Sequence, residues 1–170
     1  MQTEILGVDI GGVIIDGAKN DGSDTSFFSD NYLKTTPTEG VFDALSQLVT
    51  NRFGERVYLV SKCGPRFQEK TFHWLNHHGF YELTGIKREN VRFCRKRHEK
   101  APICEELGIT HFIDDRLEVL GYLTAVKYLY LFRPRQSEVE KFSHHLPRVM
   151  RVTTWQHVLN DLLPSNPQEG

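Results

Sequence analysis

At 170 residues, with 21 Lys+Arg against 22 Asp+Glu and a net charge of −1, the chain is one domain's worth and has no overall field that calls for nucleic acid or an anionic membrane. Hydrophobic residues at 39% and aromatic residues at 11% fit a packed soluble domain, and no apolar run approaches the ~20 residues of a membrane-spanning helix.

The opening MQTEILGVDI lacks the basic head and long apolar core of a signal peptide, so a cytoplasmic protein without a membrane partner is expected. Short apolar runs rich in Val, Ile, Phe and Tyr at Ile5–Ile10, Val57–Val60, Val91–Cys94, His111–Ile113 and Val126–Phe132 predict five strands. Between and after them, Val41, Phe42, Leu45, Leu48 and Val49 recur at helical spacing, as do Phe67, Phe72, Leu75 and His78, and later Trp155, Val158, Leu159 and Leu162. Strands alternating with helices predict a three-layer, Rossmann-like α/β fold around a mainly parallel sheet of about five strands. Residues 1–163 are read as one domain. Two stretches break the pattern: 17–37, rich in Asp, Ser, Thr, Asn and Gly, expected to be an irregular flap with few buried apolar contacts, and the tail 164–170, expected to be frayed. Cys63, Cys94 and Cys104 are odd in number and lack Cys-x-x-Cys spacing, which predicts reduced thiols rather than a disulfide or zinc site.

In an open α/β sheet, ligands bind at the carboxyl ends of the strands near the switch in strand order. Strand one ends at Asp9, strand two at Ser61 with Lys62 beside it, and strand four at Asp114 and Asp115; Lys100 opens the helix before strand four. Each has an ordinary alternative: Asp9 as a turn or helix cap, Ser61 as the cap of a helix near Pro65, Lys100 as a solvated charge with Lys96 as substitute.

The four stretches LGVDIGGVIID, VYLVSKCG, EKAPICEELG and HFIDDR, in that order, resemble the motifs of haloacid dehalogenase (HAD) superfamily phosphatases of the minimal-cap type, over Ile5 to about Leu131. The IDDR ending and the WQHVLNDLL tail look most like the deoxyribonucleotidase branch. An Asp-x-Gly-Gly turn is also found in sugar kinases of the actin-like class, but those resemble two duplicated domains, which 170 residues do not accommodate. The resemblance implies Asp9 as nucleophile, Ser61, Lys62 and Lys100 as phosphate-binding groups, and Mg²⁺ held by Asp9, Asp115 and the Gly11 carbonyl, with Asp114 acting through a water. The chemistry agrees: a carboxylate attacking a phosphate dianion needs a cation to suppress repulsion, and Mg²⁺ favours hard oxygens.

The departure is Gly11, where such phosphatases carry a second Asp that moves a proton. General acid–base help contributes about 10²–10⁴-fold, so two readings stay open: a phosphatase with another proton source or an undemanding leaving group, and an impaired domain that binds a phosphorylated ligand or nucleic acid without efficient turnover. Asp16, Asp21, Asp24 and Asp30 are candidate donors from the flap. With 52 positions from Asp9 to Ser61, most of them helix and strand, no large cap fits. The expected ligand is a nucleotide or other phosphorylated small molecule, with nucleic acid as a further candidate through the basic run Lys87–Lys100, and with closure by a homo-oligomer as another.

Overall fold

A computed structural model describes residues 2–16, 27 and 29–164. Six parallel strands, β1 (Leu6–Val8), β2 (Val57–Lys62), β3 (Val91–Cys94), β4 (His111–Asp114), β5 (Tyr128–Phe132) and β6 (Val149–Val152), form one sheet in the order β3-β2-β1-β4-β5-β6. Seven α-helices accompany them among the described residues: α1 (Val41–Leu48), α2 (Pro65–His77), α3 (Phe80–Thr84), α4 (Lys100–Leu107), α5 (Leu117–Tyr122), α6 (Gln136–Lys141) and α7 (Trp155–Leu162). The chain winds outward from β1 to β3, crosses back beside β1 to place β4, and winds the other way to β6. Right-handed crossovers in opposite directions put helices on opposite faces, which gives three layers.

The period-two alternation of the strands divides the apolar residues between two cores. Leu6, Val8, Leu59, Ile113, Tyr130 and Phe132 face α1, α2, α3 and α7, whereas Val60, Phe112, Leu129 and Leu131 face α4, α5 and α6. Gly7 is needed between Leu6 and Val8 because a Cβ there would come within 2.5 Å of the Phe112 ring. Both tryptophans are core residues with satisfied indoles: Trp74 donates to the Thr35 carbonyl and Trp155 to the Val13 carbonyl. Among the described residues, no helix is long and apolar enough to cross a membrane.

The sheet has one strand more than the five expected. Its sixth, β6, is an edge strand of only four residues, VMRV, with Met150 and Arg151 exposed, so its apolar run is short and broken by a charge. The flap expectation falls mainly on 17–26 and 28, which lie outside the described residues, as do Asp21, Asp24 and 165–170 of the tail. The part that is described is more anchored than expected. Phe27 is buried, Tyr32 and Leu33 pack on the first core, and Lys70 and His78 of the α2 side reach the carbonyls of Ser29 and Leu33. Two backbone hydrogen bonds, Asp16 N to Thr36 O at 2.9 Å and Thr38 N to Ile14 O at 2.8 Å, join the two ends of the segment in a narrow neck.

At the amino end of the sheet, His111 stacks on Tyr128 at 4.5 Å, meets the edge of Phe53 and shares a 2.7 Å hydrogen bond with Thr110 Oγ1. Burial, with the nearby Arg52 charge, pulls its imidazole down to about 4 from the usual 6.5 or so. The unfolded chain therefore binds a proton that the folded chain refuses between these values. Stability rises with pH across that window and is lost as pH falls from about 6.5 towards about 4. In thermal melts, His111→Phe is expected to flatten this slope relative to the unaltered protein. Parallel slopes would exclude His111 as the cause, and the comparison cancels other groups titrating in the same range.

Candidate active site

The strand order places the switch between β1 and β4, and the carboxyl ends of β2, β1 and β4 open into one cavity of about 500 Å³. Asp9 follows directly on β1, fixed by its backbone N–H donating to the Ile113 carbonyl at 2.9 Å. Ser61 and Lys62 are the last residues of β2, longer than the sequence suggested, paired in register with Phe93 and Cys94. Asp114 ends β4 and Asp115 follows it. Lys100 is the first residue of α4, whose path across the second face brings it beneath the switch.

At the centre is a buried ammonium between two carboxylates: Lys100 Nζ donates to Asp9 Oδ1 at 3.0 Å and to Asp114 Oδ2 at 2.8 Å. Lys100 is 2% exposed and Asp114 0%. Burial alone would depress the lysine, but the charges of Asp114 and Asp9 overcome it and hold Lys100 above its ordinary value, so it stays protonated. Burial, reinforced by the neighbouring Asp9 carboxylate, raises Asp114 to about 6 against the opposing pull of Lys100. The other Asp114 oxygen accepts the backbone N–H of Arg116 at 3.0 Å, so both are engaged, while Asp115 is half-exposed on the cavity wall.

One ligand atom each from Asp9, Asp114 and Asp115 lies within 4.8 Å of the others, the kind of group that could hold a metal ion. Where the three carboxylates meet, the Lys100 ammonium is shared by Asp9 and Asp114, and the clustered carboxylate oxygens are the hard donors that a divalent, oxygen-seeking cation prefers. The residues present therefore fit Mg²⁺.

Gly11, Ser61 and Lys62 also line the cavity. Gly64, not Ser61, caps α2, and it does so without a side-chain hydrogen bond, so Ser61 has no capping duty there. Lys96 lies outside this cavity. The left-handed residue of the opening turn is Gly12, φ 81°, not Gly11. Of the flap acids, Asp16 and Asp30 are absent from the described wall, which contains no carboxylic acid beyond the three aspartates and no histidine.

Three features of the wall carry little signal in the sequence. Arg97 and Arg116 bring further positive charge, for which the only signal was their place after strand ends three and four. Phe27, Phe67, Ile10 and Ile15 make one side apolar. Cys63 also lines the cavity, but burial pushes its thiol up to about 11, so it is protonated and a poor nucleophile near neutral pH.

No protein-family model matches the sequence, and no curated protein does. Among solved structures, the fold is similar to a HAD family hydrolase from Deinococcus radiodurans R1, determined with bound phosphate and sodium, at a TM-score of 0.63 and 12% identity over 95% of each chain. The HAD domain of the effector protein Lem4 from Legionella pneumophila gives a TM-score of 0.48 at 13% identity over 95% of this chain and 94% of that one. The three-layer parallel architecture is thus of the HAD-like type.

Proposed function

We propose that this protein is a Mg²⁺-dependent phosphohydrolase that cleaves a phosphate monoester through an aspartyl-phosphate on Asp9. The observation that carries the reading is the meeting of Asp9, Asp114 and Asp115 beside the buried Lys100 ammonium at the strand-order switch. The phosphate and sodium held by the Deinococcus hydrolase are consistent with an anion-and-cation cleft on this fold.

An Asp9 carboxylate oxygen attacks phosphorus as the ester P–O bond breaks and the alcohol departs, taking its proton from water, and a second water then cleaves the acyl phosphate, releasing phosphate and restoring Asp9. Lys100 orients Asp9 and offsets its charge during the approach of the anionic ester. Ser61 and Lys62 are placed to bind phosphoryl oxygens. Asp9, Asp115 and the Gly11 carbonyl would hold Mg²⁺, which supplies positive charge for the dianion when bound. Asp114, with both oxygens engaged, fixes Lys100. Nucleoside monophosphates are the first esters to try, because the IDDR ending resembles that of the deoxyribonucleotidase branch.

A second reading, phosphate binding without efficient turnover, is favoured by Gly11 and by the lack of another acid or histidine in the described wall. A panel of phosphate esters graded by leaving-group pKa, assayed with Mg²⁺ and with chelator, separates the two. Esters with good leaving groups are expected to turn over only with Mg²⁺; binding of phosphate and Mg²⁺ with no turnover anywhere would leave the binding role. Gly11→Asp should accelerate esters with poor leaving groups most, by up to about 10²-fold, since protonation matters in proportion to the basicity of the departing oxygen. Its backbone needs no left-handed residue at that position. Unchanged rates in a folded variant that binds Mg²⁺ would show that a missing acid does not limit the site.

A further inference from the structure

We propose that a cationic groove beside the cavity is a subsite for a second phosphate group on the substrate; this rests on the phosphohydrolase reading and narrows its substrate class. The groove, about 320 Å³, is lined by Lys62, Arg95, Lys96, Arg97 and His98, and it shares Lys62 and Arg97 with the main cavity. The two depressions are therefore contiguous. An anion held by Lys62 or Arg97 lies on the boundary between them.

Apart from Arg97, these cationic charges are presented rather than neutralised. Arg97 meets Glu118 at 3.2 Å, and Tyr122 holds the other oxygen of that carboxylate. Glu118 is the one acid in the groove, and among the described residues no carboxylate lies within ion-pairing distance of Lys62, Arg95 or Lys96. The turn carrying them is pinned from behind, because Glu99 Oε1 accepts the backbone N–H groups of Arg95 at 3.2 Å and Lys96 at 2.7 Å. Glu99 is thus spent on the backbone, and the basic side chains remain for a ligand.

The basic run does not form a continuous track. Lys87 and Arg88 precede the amino end of β3, where Lys87 pairs with Glu55 and Arg88 lies over Phe72, and Arg92 lies over Tyr58. Arg95 to His98 follow the carboxyl end of this four-residue strand, roughly 13 Å from its amino end at about 3.3 Å per residue. A long polyanion would need the stripe unbroken, whereas one additional phosphate needs only the near cluster. The subsite thus suits a ligand bearing two phosphates, whether a small bisphosphate or the phosphorylated end of a short nucleotide chain.

Calorimetric titration of the Asp9→Asn variant with Mg²⁺ present tests this through binding, because removing the nucleophile keeps the probes from being turned over. The probes are adenosine 5′-monophosphate, adenosine 3′,5′-bisphosphate, and 5′-phosphorylated tri- and hexanucleotides. One or more two-phosphate probes should bind about tenfold more tightly than the monophosphate, the scale of a charge-assisted contact. Arg95→Gln with Lys96→Gln should erase that gain and leave the monophosphate affinity unchanged. Affinity that stops rising at the second phosphate points to a small bisphosphate, and a gain kept by the trinucleotide alone points to a chain end. Equal affinity for all probes, or a gain that survives the double substitution, would overturn the subsite while leaving the phosphate site standing. If no probe binds, the subsite and a nucleotide substrate fall together, while the ester panel decides the phosphohydrolase reading separately.

Discussion

Asp9→Asn leaves a folded protein and lowers turnover of every ester by at least about 10³-fold, the expected scale when a covalent nucleophile is removed from otherwise intact machinery. The amide keeps the size of the carboxylate and an oxygen that can accept from Lys100, so circular dichroism and the melting profile should change little. What it loses is the anionic oxygen. Cys63 offers no substitute, since its thiol is held in the protonated form. Undiminished turnover in the purified variant would assign the chemistry to another nucleophile.

Lys100→Met gives the largest expected loss of stability. It leaves the Asp9 and Asp114 carboxylates facing each other without the ammonium that joins them, and removing one partner from a buried ionic group costs about 3–5 kcal/mol. In urea titrations this appears as a midpoint lower by at least about 1 M, given slopes of about 1–3 kcal/mol per molar. The pH dependence has a definite sign. Asp114 already titrates above the normal carboxylate range, and without the lysine it rises further, so the folded variant binds protons that the unfolded chain releases. Stability of the variant therefore falls as pH is raised from about 5 to 8. Adding Asp9→Asn should recover part of the loss by removing one of the two repelling charges. A single variant within about 1 kcal/mol of the parent at pH 8 would show that Lys100 is not the counter-charge.

The strand-end residues were legible in the sequence because an apolar run that stops at an acid or hydroxyl is a local signal. Asp9, Ser61, Asp114 and Asp115 each satisfy it. Their convergence depends on strand order, which the alternation of elements constrains through crossover handedness. Lys100 was harder to identify, because it sits among many basic residues and only the path of α4 distinguishes the buried lysine from exposed Lys96. The engagement of both Asp114 oxygens was invisible, since it requires the Arg116 backbone N–H as well as Lys100. Strand β6 escaped because two of its four residues face outward, and the division of the basic run escaped because β3 itself separates the halves.

The neck formed by Ile14–Asp16 and Thr36–Thr38 holds both ends of the segment between them on the scaffold, and Phe27, Tyr32 and Leu33 anchor it further on the first core. Its two ends are already clamped together by hydrogen bonds that belong to the scaffold, so the closure entropy of whatever lies between is nearly set, and doubling that length adds only about 0.6 kcal/mol. Ile15, at the base of the neck, lines the cavity. Lengthening the segment while keeping Phe27, Tyr32 and Leu33 on the first core would therefore alter what reaches the cleft and leave Asp9, Lys100 and Asp114 in place.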